Sequence, residues 1–368
     1  MTGLASIAPA PTRRPSAAPR QTRWLLRLHR PALCVWAGLV LVVSATLLWL
    51  GGPLTDAAAV AWRQYDACGM ATSCAYDQPA ILLYKGVYQY AMVAVLAVPF
   101  LVAAWAGATL TSRELETGTA RLAWTQSVSP ARWLAAKLAV PSALIAAGTG
   151  LLVGLYHLAW SAGRGRSINT AKPWYDPSNF FAGGPTTVAL ALVGLAVGAL
   201  AGLVWRRSLP ALITSVVTTA GVFGTIHLAL PYLWPSVTRG SSLTLDAPAG
   251  TGLTVDEGVL TSTGARLPDP GCGSSRWPHC RATYDELDAV SYYRDYHPFS
   301  HYWPLQLTAT ALTLAIGALL ALAAFRMLKR RTGGIPSRKG APPRMTAGLR
   351  RNASRTYSDA GHPLPRSP

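Results

Sequence analysis

Long stretches without charge constrain this chain more than any other feature of its sequence. Six stretches of 25 residues or more contain no Asp, Glu, Lys or Arg. Each holds an apolar core of about 20 residues, which is the length that a helix needs to cross a hydrocarbon layer of roughly 30 Å. We therefore predict an all-α integral membrane protein with six transmembrane helices, near residues 33–51, 89–108, 138–159, 186–205, 209–233 and 305–325.

The segments outside these spans define the predicted domain organisation. Residues 1–31 are rich in Pro, Ala, Ser and Arg, residues 328–368 are rich in Arg, Pro, Gly and Ser, and neither shows a hydrophobic period. Such segments bury too little apolar surface to fold, so we predict two disordered basic tails. Residues 32–327 form one predicted transmembrane domain, whose large loop, 234–303, precedes the last helix.

The distribution of charge predicts the orientation in the membrane. If both termini lie on one side, the segments 1–31, 109–137, 206–207 and 326–368 hold 23 Lys and Arg and 3 Asp and Glu. The net charge of +18 then divides into +20 on that side and −2 on the other. Because cytoplasmic loops carry an excess of Lys and Arg, we predict cytoplasmic N and C termini and an extracytoplasmic loop 234–303.

The basic excess also bears on the partners of the chain. Since it borders membrane spans, attraction to anionic headgroups of the lipid bilayer explains it, and we predict no nucleic-acid partner. The high content of Ala, Arg, Gly and Pro is typical of a bacterium with a GC-rich genome. We therefore predict a multi-pass protein of the bacterial cell membrane.

Four of the five cysteines fall in the predicted outer loops, where disulfides form and persist. Cys68 and Cys74 lie in the first outer loop, and Cys272 and Cys280 lie in the last. Pairing within each loop is the simplest hypothesis. The spacing alone does not exclude pairing between the loops or four free thiols.

Several kinds of chemistry are disfavoured by what the sequence lacks. It has no G-x-x-x-x-G-K-[ST] phosphate loop, and the cores of the spans carry no acidic or basic side chain of the kind that drives proton-coupled transport. The segment from His297 to His301 lacks the Glu of a zinc peptidase motif. We therefore predict no metal site, no cofactor and no catalytic residue in this chain. The aromatic residues near these histidines instead predict a belt at the membrane interface, formed by Tyr292, Tyr293, Tyr296, Tyr302 and Trp303.

The fourth span carries a doubled G-x-x-x-G spacing. Gly194, Gly198 and Gly202 are four residues apart, so they share one helix face and form a flat groove for close helix packing. The groove fits either a contact within the chain or a contact between two copies.

The segment between the second and third spans, 113–137, has an unusual composition for a membrane connector. It holds two of the three acidic residues of the predicted cytoplasmic side, Glu114 and Glu116. Such carboxylates suit a basic surface on a soluble partner. We also predict that Trp124 and Trp133 anchor the segment at the membrane interface, and that Arg132 and Lys137 reach the lipid headgroups.

This segment resembles the membrane subunits of type 2 ABC transporters, mainly bacterial exporters. Many of them carry a pattern close to E-R-E-x-G-T-x-x-L-L-x-x-P-x-S-R-x-x-x-x-x-K after the second of six spans. The chain departs from it at Gln126 and Ser127, where Pro is frequent, and at Pro130, where Arg is expected. The matching positions are Glu114, Glu116, Gly118, Thr119, Leu122, Ser129 and Lys137.

The resemblance implies a permease subunit of an ATP-binding cassette transporter, in particular an exporter. The chain would not be an enzyme, because ATP and Mg would be bound by a separate ATPase subunit. It would form the translocation path with a second permease chain, as a homodimer or a heterodimer. The residues implied at or near the ATPase contact are Arg113, Glu114, Glu116, Gly118, Thr119 and Arg121.

Two other functions remain open on the sequence. The first alternative is a membrane-anchored sensor or envelope assembly protein whose outer loop binds a ligand, because the loop 234–303 is large. An intramembrane enzyme is the other alternative, and the absence of a catalytic constellation disfavours it.

Overall fold

The computed structural model describes residues 30–69, 73–120, 124, 129–166, 172–243, 252–271 and 277–332. Within these ranges six helices are long and apolar enough to cross a membrane, as predicted. The helices are α1 (Arg30–Trp49), α2 (Thr55–Ala67), α3 (Gln78–Trp105), α4 (Ser112–Glu116), α5 (Pro130–Gly165), α6 (Pro177–Ala182), α7 (Thr186–Trp205), α8 (Ser208–Ala229), α9 (Trp277–Glu286) and α10 (Tyr302–Thr332). π-helical segments span Leu50–Leu54 and Ala106–Leu110, and 3₁₀ turns span Leu230–Tyr232 and Phe299–His301.

Two predicted boundaries need correction. The first helix begins at Arg30, so the predicted tail 1–31 ends too late in the sequence. The last helix continues to Thr332, so the predicted tail 328–368 begins too early. The reason is that Lys and Arg are good helix formers, so Lys329, Arg330 and Arg331 extend α10 beyond its apolar part. The remainder of both tails lies outside the described residues.

The first span is longer than predicted because it continues through a π-helical segment. Pro53 has no N–H, and Gly52 departs from helical geometry at φ −110° and ψ −105°. The Thr55 hydroxyl donates to the Leu50 carbonyl oxygen at 2.5 Å. Since no water is available in a bilayer, such side-chain bonds are what allow a helix to be distorted there.

Helix α7 is the centre of the bundle. It packs against α3, α5, α8 and α10, and most of its residues are buried. Its three glycines face the second span: a Cβ at Gly194 would lie 2.7 Å from the Pro99 carbonyl oxygen, and one at Gly198 would lie 2.4 Å from the Ala106 Cβ. At Gly202 the nearest group is the Thr111 hydroxyl. The glycine face is therefore used for backbone contact within the chain.

Two small hydrogen-bond networks join buried polar side chains in the bundle. The hydroxyl groups of Tyr88 and Tyr156 each donate to Asn179 Oδ1 at 2.8 Å. The Thr186 hydroxyl donates to Gln306 Oε1 at 2.8 Å, and Gln306 Nε2 donates to the Phe180 carbonyl oxygen at 2.6 Å. These bonds connect α3, α5, α6, α7 and α10 at one end of the bundle.

The loop 234–303 contains a four-stranded antiparallel sheet that the sequence analysis did not predict. Its order is β1-β4-β2-β3, with β1 at Val237–Ser242, β2 at Leu253–Thr261, β3 at Arg266–Pro268 and β4 at Ala289–His297. Tyr292, Tyr293 and Tyr296 lie on β4 and are buried. The predicted aromatic belt is therefore wrong for these three residues, because they belong to the sheet.

The sheet carries a buried carboxylate at its centre. Asp295 on β4 accepts hydrogen bonds from the Thr238 hydroxyl and from Arg266 Nη1, each at 2.5 Å. Burial raises the pKa of Asp295, but these hydrogen bonds outweigh burial and hold the pKa below its ordinary value. The side chain thus joins β1, β3 and β4.

The two ends of the bundle differ in chemistry, and we name them accordingly. The basic end is where α1 and α8 begin and where α7 and α10 end, and it carries Arg30, Arg206, Arg207 and Arg330. The sheet end is the opposite one. There His297 Nε2 lies 2.9 Å from the Pro231 carbonyl oxygen, so the end of β4 contacts the turn that follows α8.

The cysteines are described in part. A disulfide joins Cys68 and Cys74, whose Cα atoms are 5.7 Å apart. Cys272 lies outside the described residues, as does the side chain of Cys280 on α9. Cys34 is a free thiol on an exposed face of α1.

The glycine face of α7 gives a first prediction. We expect Gly198→Val to destabilise the protein by about 1–3 kcal/mol, because its side chain must separate two helices in backbone contact. Gly154→Val is the matched control, since a Cβ there meets nothing within 4 Å. Thermal unfolding of the purified chain in detergent measures both. Equal unfolding temperatures for the two variants would contradict the assigned contact.

Candidate functional site

The segment that follows the second span is attached to the bundle from its first residue. The Thr111 hydroxyl donates to the Ala199 carbonyl oxygen on α7 at 3.0 Å, and the Ser112 hydroxyl donates to the Gly107 carbonyl oxygen at 2.7 Å. Both residues are fully buried. The π-helical turn Ala106–Leu110 thus leads directly into α4, and the Ser112 hydroxyl satisfies one of its carbonyl groups.

Helix α4 ends in a turn that requires glycine. The Thr117 backbone N–H donates to the Arg113 carbonyl oxygen at 3.0 Å, and Gly118 follows in the left-handed region with φ 76°. This conformation closes a helix and is strained for other residues, which explains the glycine of the motif. Thr119 then turns back, so that its hydroxyl lies 3.1 Å from the Thr117 hydroxyl.

A buried ion pair joins α4 to α5. Lys137 Nζ lies 2.7 Å from Glu114 Oε1 and also donates to the Leu110 carbonyl oxygen at 2.7 Å. The Trp133 indole N–H donates to the other oxygen of Glu114 at 3.2 Å. The Lys137 side chain is 3% exposed and that of Glu114 is 21% exposed. The pair therefore joins the two ends of the segment 113–137 to each other.

The second carboxylate is also bound within the chain. Glu116 Oε2 accepts hydrogen bonds from the backbone N–H and the hydroxyl of Ser208, at 3.1 and 2.7 Å. Ser208 is the first residue of α8, where backbone N–H groups lack helical partners and a carboxylate is favoured by the helix dipole. Glu116 itself stays exposed. This contact ties α4 to the start of the fifth span.

Helix α5 starts at the departure from the motif noted in the sequence. Ser129 caps the helix, with its hydroxyl accepting the Arg132 backbone N–H at 3.3 Å, and Pro130 takes the first helical position. Proline suits this position because its missing N–H would have no helical partner there. Pro130 in place of the expected Arg therefore preserves the start of the helix.

The structure corrects the predicted roles of two residues. Lys137 and Trp133 are buried in the chain, so they do not reach the headgroups or anchor the segment at the interface. Trp124 packs edge-on against Trp133, with ring centroids 5.7 Å apart, and is partly buried. Of the four predicted anchors, Arg132 is exposed.

The structure brings together most of the residues predicted at the ATPase contact. Arg113, Glu116 and Thr119 are exposed on α4 and its turn, beside Gly118. Glu114 instead points to Lys137, so it does not project towards a partner as expected. Arg121 lies outside the described residues. The α4 surface below means the exposed residues Arg113, Glu116, Thr117 and Thr119 together with the half-buried Gly118.

Sequence reasoning missed the partners that hold the two carboxylates. Lys137 was identified from the motif but not as the partner of Glu114, and Ser208 was not singled out at all. A charged residue between an apolar span and a connector is the signal that a buried pair leaves in a sequence. Ser208 leaves no comparable signal, because serine is common at helix starts.

Comparison with known proteins decides which family this arrangement represents. The family model described as ABC-2 membrane transporter related matches residues 21–233, which is more than half of the 368 residues. The chain belongs to this family. The match includes the first five spans and the whole segment 112–137 of this ABC-2 chain, while the sheet and the last span lie beyond it.

Membership gives the general class of the protein. The ABC-2 family consists of membrane permease subunits of ABC transporters, which are transport chains rather than catalytic ones. The chain is thus a multi-pass membrane protein of this class. No curated protein and no solved structure matches it.

The buried pair gives a second prediction. We expect Glu114→Gln to destabilise the chain by about 3 kcal/mol, because it leaves the Lys137 ammonium buried without its counter-charge. Glu116→Gln should change the stability much less, since its hydrogen bonds are exposed and the amide oxygen still accepts them. Thermal unfolding in detergent measures both free energies.

A double variant separates loss of the pair from loss of packing. Glu114→Leu combined with Lys137→Met removes both charges, and we expect it to recover most of the stability lost in Glu114→Gln. A double variant no more stable than the single one would show that the charges are not the cause.

Proposed function

We propose that the chain is the permease subunit of an ATP-driven exporter in a bacterial plasma membrane. Two permease chains, identical or different, form the translocation path, and a separate ATPase subunit binds ATP and Mg. The basic end lies in the cytoplasm and the sheet end lies outside. Family membership supports the permease class, and the charge division of +20 and −2 supports the orientation.

One observation carries the proposed coupling role of the α4 surface. This surface is exposed, yet α4 and the residue before it make three contacts with the bundle. The contacts are Glu114 to Lys137 on α5, Glu116 to Ser208 on α8, and Thr111 to Ala199 on α7. A displacement of α4 is therefore transmitted to four spans at once, since α4 also continues from α3. An ordinary connector between two helices needs no such bracing.

The mechanism follows from this bracing. When two ATPase subunits close on ATP, they draw the α4 surfaces of the two permease chains together. The spans tilt as rigid bodies, and the path changes from inward-facing to outward-facing. The π-helical turn Ala106–Leu110, at the junction of α3 and α4, is where a helix accommodates such a change with little loss of hydrogen bonding.

The sheet caps the exit of the path in this proposal. It contacts the spans through His297 and Pro231 and continues through β4 into α10. Lipids, drugs and hydrophobic peptides are the substrate classes that suit spans rich in Ala, Leu, Val and Gly.

A third prediction tests the ATPase contact. We expect Arg113→Glu to reduce the amount of ATP-binding chain that co-purifies from native membrane by about tenfold, which corresponds to about 1.4 kcal/mol at 25 °C. In this proposal Arg113 pairs with an acidic group of the ATPase, so that its reversal places two like charges together. Arg113 is preferable to Glu114, because it is exposed and its replacement leaves the buried pair intact.

The control for this variant is Arg330→Glu. Arg330 is an exposed arginine at the same end of the bundle, on the last turn of α10. It changes the net charge by the same amount. Equal co-purification of the ATPase with both variants would remove the α4 surface from the contact.

A fourth prediction tests the orientation. A cysteine at Thr263, in the exposed turn between β2 and β3, should react with a membrane-impermeant maleimide on intact cells. A cysteine at position 330, in place of Arg330, should react with the same maleimide only after the cells are permeabilised. Both are introduced into a chain without its native cysteines, and the reverse pattern would overturn the orientation.

The folded sheet favours one rival function. A membrane-anchored sensor or envelope assembly protein needs a structured outer domain, and four paired strands provide one. Such a protein needs no ATPase. Co-purification with an ATP-binding chain distinguishes the two functions, because the rival predicts none.

A further inference from the structure

A crevice at the basic end of the bundle has no role in the proposed transport mechanism. It lies between α1, α3 and α5 and has a volume of about 460 Å³. This is within the range of roughly 300–1,000 Å³ that small-ligand sites occupy. Its walls are formed by apolar side chains such as Trp36, Val102 and Ile145, with Lys137 at one point of the wall.

The crevice opens on the outer surface of the bundle. Two residues of its wall, Val35 and Leu101, are 71% and 51% exposed on the outer surface of the bundle. In a multi-pass membrane protein this surface faces hydrocarbon. An apolar cavity excludes water, so an acyl chain is the occupant that its chemistry and its opening favour.

The polar rim of the crevice is basic. Arg30 immediately precedes Pro31 of the wall, and Arg132 lies one helical turn before Ala136 of the wall. Both arginines are exposed, and neither forms an ion pair with an acidic residue in the described part of the chain. Because Lys137 is neutralised by Glu114, the two arginines give the rim its net positive charge.

We propose that the crevice binds one anionic phospholipid, with an acyl chain between α1, α3 and α5 and its phosphate at Arg30 and Arg132. Basic rims between membrane helices favour anionic headgroups, and the fork of a guanidinium matches a phosphate group. This site does not depend on the proposed transport function. It requires a membrane location alone.

The proposed lipid site lies next to the contact that attaches α4 to the bundle. Lys137 belongs to the wall of the crevice and also holds Glu114 of α4. A bound acyl chain therefore packs against the same side chain that attaches α4 to the bundle. Occupancy of the crevice stabilises this attachment.

Native mass spectrometry of the full chain tests the site. The protein is stripped of lipid in detergent and titrated with dioleoylphosphatidylglycerol or with dioleoylphosphatidylcholine, which share their acyl chains. We expect one retained phosphatidylglycerol, with about tenfold weaker retention of phosphatidylcholine. Arg30→Gln combined with Arg132→Gln should make retention of the two lipids equal.

A cavity-filling variant locates the bound lipid. Ala136→Phe places a ring in the crevice and should abolish the retained lipid, while Ala139→Phe, on an exposed face of the same helix and outside the wall, should retain it. If Ala136→Phe does not yield a folded chain, Val140→Trp replaces it. Retention by the filled variant, or equal retention of both lipids by the native chain, would overturn the proposal.

Discussion

Backbone contact between the second and fourth spans is the constraint on which the rest of the structure depends. Helices in a bilayer gain little from burying apolar surface, so close approach at small residues replaces the hydrophobic driving force. Gly194, Gly198 and Gly202 permit this approach, and the Thr111 hydroxyl adds a hydrogen bond to the Ala199 carbonyl oxygen. The same contact fixes where α3 ends and in which direction α4 leaves the bundle.

The buried pair of Glu114 and Lys137 then determines how α4 is attached to the bundle. Such a pair adds little net stability, because the cost of removing two charges from water offsets much of their attraction. The pair instead restricts the geometry, because a buried lysine can donate to few other groups. The pair therefore fixes α4 to α5 in one arrangement, and the ends of a connector that would otherwise be mobile become part of the bundle.

Charge-free runs predicted the six spans because a bilayer excludes charge over a fixed thickness, and this constraint is local in sequence. The sheet was missed for the opposite reason. Its strands carry many polar residues, so they lack a continuous apolar pattern. The tyrosines of β4 also resemble an interfacial belt until Asp295, Thr238 and Arg266 are brought together. The partners of Glu114 and Glu116 were likewise unpredictable, because Lys137 and Ser208 approach them through the packing of helices that are distant in the chain.

The central claim of this account is that the α4 surface contacts an ATPase. The most direct measurement is photo-crosslinking in native membrane with a benzophenone side chain at position 113, followed by mass spectrometry of the captured chain. The account predicts capture of a chain that carries a phosphate loop, and no such product from the same side chain at position 330. Capture of a chain without a phosphate loop at position 113, or equal capture of the ATPase at both positions, would contradict it.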